Sequence, residues 1–268
     1  MPEYDRSLWR PAPRQPGLGA DDVHVWRACL MQPDARVLEL VETLSEDERH
    51  RAERYRFVGD KRRFIVARGL LRRILRCYLE IPAAQIRFSY GIKGKPALAL
   101  PGCTLQFNLS HSREVVLIAL TLRRDIGIDL ELVRSLAAMD QMAERFFSAH
   151  EKQMLGVLAP LERQETFFRF WACKEAYIKA CGKGLALALD QFDVAIEPDG
   201  GVSLLANRQE RDAHPGHWAI RQIEPGKNYV AAVAVGDAAW NLRCWQWQDD
   251  HFNWEEDCHQ DSCQTYDE

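Results

Sequence analysis

The sequence predicts an α+β protein in which one order of elements, a strand, then helices, then strands, runs twice along the chain. Three observations predict it. Alternating segments, of which Asp125 to Val133 is the strictest, are separated by segments with apolar residues at helical spacing. Strand patterns gather at 86–122 and again at 192–235, behind helical patterns at 45–79 and 139–185. Composition hardly changes near 120–125, yet the order of patterns starts again there. The expected organisation is therefore an N-terminal α+β half at 21–122 and a C-terminal α+β half at 123–248. An extended Pro-rich arm at 1–20 and a poorly ordered acidic tail at 249–268 lie outside the two halves.

In the first half, Val23 to Ala28 alternates as a strand. Ser45-Glu-Asp-Glu48 is a helix start by its cap and early acids, and Gly59-Asp60 is the expected break. A second helix, Lys61 to Leu79, puts Phe64, Ala67, Leu71, Ile74, Leu75 and Tyr78 on one side with arginines opposite, before Ile81-Pro82 ends it. Ile86 to Tyr90 reads as a strand, and Gly91 to Leu98 as a glycine-broken turn carrying Lys93 and Lys95. Leu105 to Leu109 and Val115 to Leu122 read as strands flanking a polar elbow, Ser110-His111-Ser112.

In the second half, Ile126, Ile128, Leu130 and Leu132 share one strand face, with Gly127, Asp129 and Glu131 on the other. Met139 to Phe147 is helical, Ser148 to Glu151 opens another helix, and Phe167 to Leu185 is a third, stopped by Gly182 and Gly184. Strands at 192–196, 202–205, 217–223 and 229–235 suit a closing antiparallel sheet, and Trp240 to Trp247 is a candidate last strand.

The 268 residues are 47% hydrophobic and 28% charged, enough to bury a sizeable core. No run of 18 apolar residues offers a membrane span, and the N-terminus lacks the layout of a signal peptide, so a cytoplasmic location is expected. The eight cysteines are scattered without a Cys-x-x-Cys pair and are expected to be reduced. His251, Cys258, His259 and Cys263 are too irregularly spaced to read as a zinc site. A net charge of −4 argues against a general nucleic-acid binder. Between Arg49 and Arg76, however, eleven basic residues face two acids, so that segment calls for anions.

Chemistry gathers at four places. Along the helix from Phe167, the residues Phe167, Trp171, Glu175 and Lys179 fall at successive i, i+4 spacings. Glu175 and Lys179 fit a surface ion pair worth ~0.2–0.5 kcal/mol, or two groups aimed at a ligand. Asp129 and Glu131 point the same way from one strand, either into solvent or at a cation that relieves their repulsion, for which oxygen ligands suit Mg²⁺. Ser110 and His111 fit a strand-ending turn or a phosphate contact. Ser148 and Glu151 fit a capping box, and Glu151 alternatively a general base.

Phe107-Asn-Leu-Ser-His-Ser112, Gly127-Ile-Asp-Leu-Glu131, Phe146-Phe-Ser-x-x-Glu151 and Trp171 to Leu185 stand in the order seen in Sfp-type 4′-phosphopantetheinyl transferases, which this chain resembles. Gly94-Lys95-Pro96 and the basic helix at Arg49 to Arg63 extend the resemblance to about residues 23–235. It implies two similar halves related by a pseudo-twofold axis, acting as a monomer, with coenzyme A in the cleft between them. It implies Mg²⁺ held by Asp129, Glu131 and Glu175, phosphate contact by Lys179, and coenzyme contacts by Lys95, Ser110 and His111, with Arg51 and Arg63 near the 3′-phosphate. The implied reaction moves the phosphopantetheine arm to a serine of an apo acyl, polyketide or peptidyl carrier protein and releases 3′,5′-ADP, with Glu151 as base. Two positions depart from the family pattern: Leu130 stands where Ile or Val is common, and Glu48 where Lys or Arg is expected. A non-catalytic carrier-protein or anion-binding module of the same fold would require one of the carboxylates or Lys179 to be missing, and all are present.

Overall fold

Two five-stranded sheets lie face to face, each covered on its outer side by helices, in a computed structural model that describes residues 8–91, 93–182, 184, 187–197, 201–207, 217–236 and 239–247. The acidic tail and the His251 to Cys263 group lie outside these residues. Strands β1 (Trp9–Pro11), β2 (Asp22–Cys29), β3 (Phe88–Tyr90), β4 (Pro96–Leu98), β5 (Leu105–Ser112) and β6 (Val115–Leu122) belong to the first half, with helices α1 (Asp34–Thr43), α2 (Glu46–Glu53) and α3 (Val58–Arg76). The second half holds β7 (Ile126–Leu132), α4 (Met139–Phe146), α5 (Ala149–Gly156), α6 (Pro160–Cys181), β8 (Phe192–Ile196), β9 (Gly201–Asn207), β10 (Trp218–Ile223), β11 (Tyr229–Gly236) and β12 (Asn241–Gln246).

The repeated order of the sequence becomes a repeated topology. The first sheet runs β1-β12-β2-β6-β5 and the second β7-β11-β10-β9-β8. Within them, β2-β6-β5 and β7-β11-β10 are equivalent: a leading strand, intervening helices, then an antiparallel hairpin whose second strand pairs with the leading one. This topology is consistent with two similar halves.

Three apolar clusters follow the layers. Helices α1 and α3 pack Leu40, Leu70, Leu71 and Ile74 on Trp26, Ile118 and Phe107 of the first sheet. Helix α6 packs Phe170, Cys173, Ala176 and Tyr177 on Val194, Ile220, Ala232 and Ala234 of the second. Between the sheets, Val23, Val25, Leu117 and Ala119 meet Ile126, Ile128, Leu130 and Val233. Strand β7 therefore buries one face against the first sheet and turns Gly127, Asp129 and Glu131 toward α6, as its alternation requires.

The structure departs from the sequence reading in several places, among them the start of α6 at Pro160, seven residues before Phe167. Helix α1, signalled by Val37, Leu40, Val41 and Leu44 after Pro33-Asp34, was not expected. Helix α3 begins at Val58, not after Gly59-Asp60, because Asp60 in the first turn favours a helix start. Arg68 and Arg72 of that helix are buried rather than solvated: Arg72 pairs with Glu48 at 2.7 Å and donates to the carbonyls of Ala83 and Ile86. That buried pairing gives Glu48 a structural duty where a basic residue was expected. From residue 8 onward the Pro-rich arm is anchored, since Trp9 is buried, donates to the Glu224 carbonyl and sits in a strand parallel to β12. Finally, β12 leaves the second half and inserts between β1 and β2 of the first sheet. Among the described residues no helix is long and apolar enough to cross a membrane.

Candidate functional site

Strands β5 and β7 lie side by side at the meeting of the halves, joined by side chains where no backbone ladder connects the two sheets. Asn108, Ser110 and Ser112 alternate along one face of β5. Asn108 Oδ1 accepts from the Ile128 N–H (2.9 Å), Ser110 Oγ donates to Asp129 Oδ1 (2.9 Å), and Ser112 Oγ accepts from the Leu132 N–H (3.1 Å). The expected elbow at Ser110 to Ser112 is thus strand, and the turn falls at Arg113, with φ of 51°. Asn108 and Ser112, which the sequence reading kept only as a capping Asn and Ser of a strand-ending turn, build the seam by accepting from backbone amides of β7. Their period-two spacing with Ser110 was the available signal.

Helix α6 supplies the opposite wall. From Phe167 onward it is buried on nearly every side, and the half-buried stripe runs along Trp171, Glu175 and Lys179. Its approach to β7 depends on Gly127, where a Cβ would stand 2.1 Å from the Ala176 carbonyl oxygen and 2.3 Å from the Ala180 nitrogen. Only a residue without a side chain lets the two backbones come so close. Gly182, in the left-handed region at φ of 66°, ends the helix.

Between these walls, Lys179 Nζ lies 2.5 Å from Asp129 Oδ1 and 3.1 Å from Ser110 Oγ. Lys179 reaches across to β7, not along its own helix to Glu175. Glu131 is pushed up to about 7 by burial and by the neighbouring Asp129 and Glu175 carboxylates. Glu175 is raised by burial and by Asp129. His111 on β5 is shifted down by burial and by the charges of Lys179 and Arg63, which keeps its imidazole neutral at pH 7. A cavity of about 270 Å³ opens alongside, lined in part by Lys93, Lys95, Asn108, Glu175 and Lys179. A larger groove, about 940 Å³, is walled by 15–18, 76–82 and 102–105 and contains none of the candidate residues.

Three neighbouring carboxylates, two of them raised by burial and by the charge of the others, and a buried Asp129 Oδ2 with no hydrogen-bond partner have the chemistry that suits a hard divalent cation. As the side chains stand, Lys179 supplies the positive charge at Asp129. Among the described residues no three carboxylate, imidazole or thiolate groups meet at ligand distance.

The structure gives the other predicted residues different surroundings. Glu151 has no exposed surface: Oε2 accepts from the Ser148 N–H (3.0 Å), and Oε1 accepts from the Val194 N–H and from Lys174 Nζ, both at 2.9 Å. With both oxygens filled, Glu151 is a capping and core residue, and its carboxylate is closed to a substrate proton. Lys174, missed because it read as one more charge on the helix, is equally buried and also donates to the Leu189 and Phe192 carbonyls. Lys95 points its ammonium at backbone carbonyls of β7 and α6. Arg63 joins Asp60 and Glu114 and acts on His111 through its charge. Arg51 is exposed, its guanidinium 5.4 Å over the Phe64 ring.

Comparison with known proteins places the chain in a family. Residues 125–234 match the family model of the 4′-phosphopantetheinyl transferase superfamily, and residues 30–122 match that of the 4′-phosphopantetheinyl transferase N-terminal region. The chain is 40% identical over 241 residues to the 4′-phosphopantetheinyl transferase HetI of Nostoc sp., covering 89% of this chain and 98% of that protein. It is 32% identical over 196 residues to the 4′-phosphopantetheinyl transferase Sfp of Bacillus subtilis, covering 72% and 84% respectively. With psf-1 of Bacillus pumilus it shares 38% identity over 171 residues, 63% of this chain and 71% of that one. Two half-length models in tandem and a relative matched end to end leave one assignment: the chain belongs to the 4′-phosphopantetheinyl transferase superfamily.

Proposed function

We propose that the chain transfers the 4′-phosphopantetheine arm of coenzyme A to a serine hydroxyl of an apo carrier protein and releases 3′,5′-ADP, in a Mg²⁺-dependent reaction. The observation that carries this reading is the joining of Asp129, Ser110 and Lys179 at the seam between the halves, with Glu131 and Glu175 beside them. Asp129, Glu131 and Glu175 would hold the Mg²⁺. When bound, that ion supplies charge neutralisation for the pyrophosphate.

The serine oxygen bonds to the phosphorus next to the pantetheine arm, the bond from that phosphorus to the bridging oxygen breaks, and 3′,5′-ADP departs with the electron pair. Lys179, on the half-open stripe of α6, meets the negative charge that gathers on the phosphate oxygens, where fixed charge is most effective. His111, neutral, donates a ring N–H to the same oxygens. With Glu151 closed off, Glu175, half-buried on the stripe of α6 that carries Lys179, is the carboxylate left to take the serine proton. Both walls of the cleft come from one chain, which suits action as a monomer. Incubation with coenzyme A, Mg²⁺ and an apo carrier protein should release 3′,5′-ADP in step with carrier modification. Release without carrier, or no release with any carrier, contradicts the proposal.

A further inference from the structure

Lys95 stands just before β4, at the end of a turn whose Gly94 has φ of 79°. It is a first-half residue, yet its ammonium is spent on the second half. Nζ donates to the Ile126 carbonyl at 2.9 Å, the Lys179 carbonyl at 2.7 Å and the Ala180 carbonyl at 3.3 Å. An ammonium has three protons, so three acceptors satisfy it completely and leave none for a ligand phosphate.

The identity of the acceptors gives this arrangement a purpose. Lys179 and Ala180 lie in the last turn of α6, where carbonyls lack intrahelical partners and the helix end carries partial negative charge. Ile126 opens β7, the strand that bears Asp129 and Glu131. At the same level Gly127 brings the two backbones into contact. One ammonium therefore ties the elements carrying the candidate ligands to each other and to the opposite half. It bonds the main chain of the very residue whose side chain reaches Asp129. We infer that Lys95 is a positioning residue that sets Lys179 against Asp129, not a contact to coenzyme A.

The inference rests on the proposed transferase reading, and the test separates the two. In Lys95→Met, kcat should fall at least about tenfold while the dissociation constant for coenzyme A changes by less than about threefold. Lys95→Arg, which keeps cationic donors, should recover most of the loss. If Lys95 acts through Lys179, adding Lys95→Met to a Lys179→Met background should cost less than about twofold further. A tenfold or greater weakening of coenzyme A binding with kcat intact, or loss of thermal stability alone, overturns the inference.

A measurement on the wild-type protein covers the case in which Lys95→Met fails to fold. The Lys95 ammonium signal, observed by nitrogen-15 NMR, should show slow proton exchange and stay unshifted when 3′,5′-ADP is added. Fast exchange, or a shift on addition, overturns the clamp. Absence of transfer by the wild-type enzyme contradicts the functional reading instead, and the exchange measurement still decides whether the clamp exists.

Discussion

Lys179 Nζ and Asp129 Oδ1 are 2.5 Å apart, joining the last turn of α6 to the middle of β7. Lys179 therefore neutralises a carboxylate that would otherwise face Glu131 and Glu175 without relief. A cation bound there and the Lys179 ammonium answer to the same negative charge. From this follows a dependence of metal-free stability on pH.

Glu131 is raised to about 7 and Glu175 is raised as well, so between their ordinary range and neutrality the folded protein holds more protons than the unfolded one. Their contribution is fully present at acid pH and is lost as pH rises through about 7. His24 works in the opposite sense: buried and lowered to about 4, it favours the folded state as pH rises from 4 toward its ordinary value of 6.5. Comparing wild type with Glu131→Gln at each pH cancels His24. Urea midpoints without metal should fall more steeply for wild type between about pH 4.5 and 7, and parallel curves across that range would refute the assignment.

Glu151→Gln should act on the fold before it acts on turnover. Glu151 and Lys174 form a pair with no exposed surface, and removing one partner leaves the other buried and uncompensated, at a cost of about 3–5 kcal/mol. Urea unfolding and turnover per folded molecule separate the effects. A stable variant with turnover reduced by orders of magnitude would restore the general-base role.

Gly127→Ala tests the packing of α6 on β7. Its methyl would collide with main-chain atoms of Ala176 and Ala180, which cannot swing aside. Overpacking of this kind costs about 1–3 kcal/mol or more. Thermal denaturation should show the loss, and unchanged stability would mean that the helix stands off the strand.

Asn108→Ala removes the acceptor for the Ile128 N–H across the seam between the sheets, leaving a buried donor unpaired. The expected cost is about 1–3 kcal/mol, with faster amide exchange at Ile128 as the local sign. Exchange at Ile128 as slow as in wild type would contradict the seam.

Much of this was legible in the sequence because period alone decided it. In β7, alternation put Ile126, Ile128 and Leu130 on one face and Gly127, Asp129 and Glu131 on the other, where the structure has them. Of the i, i+4 stripe of α6, Trp171, Glu175 and Lys179 form its half-buried edge, while Phe167 is buried in the core. What escaped depends on partners far away in the chain. Arg72 reads as solvent-facing until Glu48 arrives from another helix. The last strand was visible by composition, but nothing local says that β12 joins the first sheet. The capping box of Ser148 and Glu151 was legible locally, but Lys174 and the Val194 N–H that complete the burial of Glu151, and the carbonyls that hold the Lys95 ammonium, come from distant parts of the chain.

The most direct test of the account is the intact mass of apo carrier proteins after incubation with this enzyme, coenzyme A and Mg²⁺. The account predicts the mass gain of one phosphopantetheine arm with wild type, and none with Glu175→Gln or with a chelator in place of the metal. Unmodified carriers with wild type, or full modification by Glu175→Gln, would contradict it.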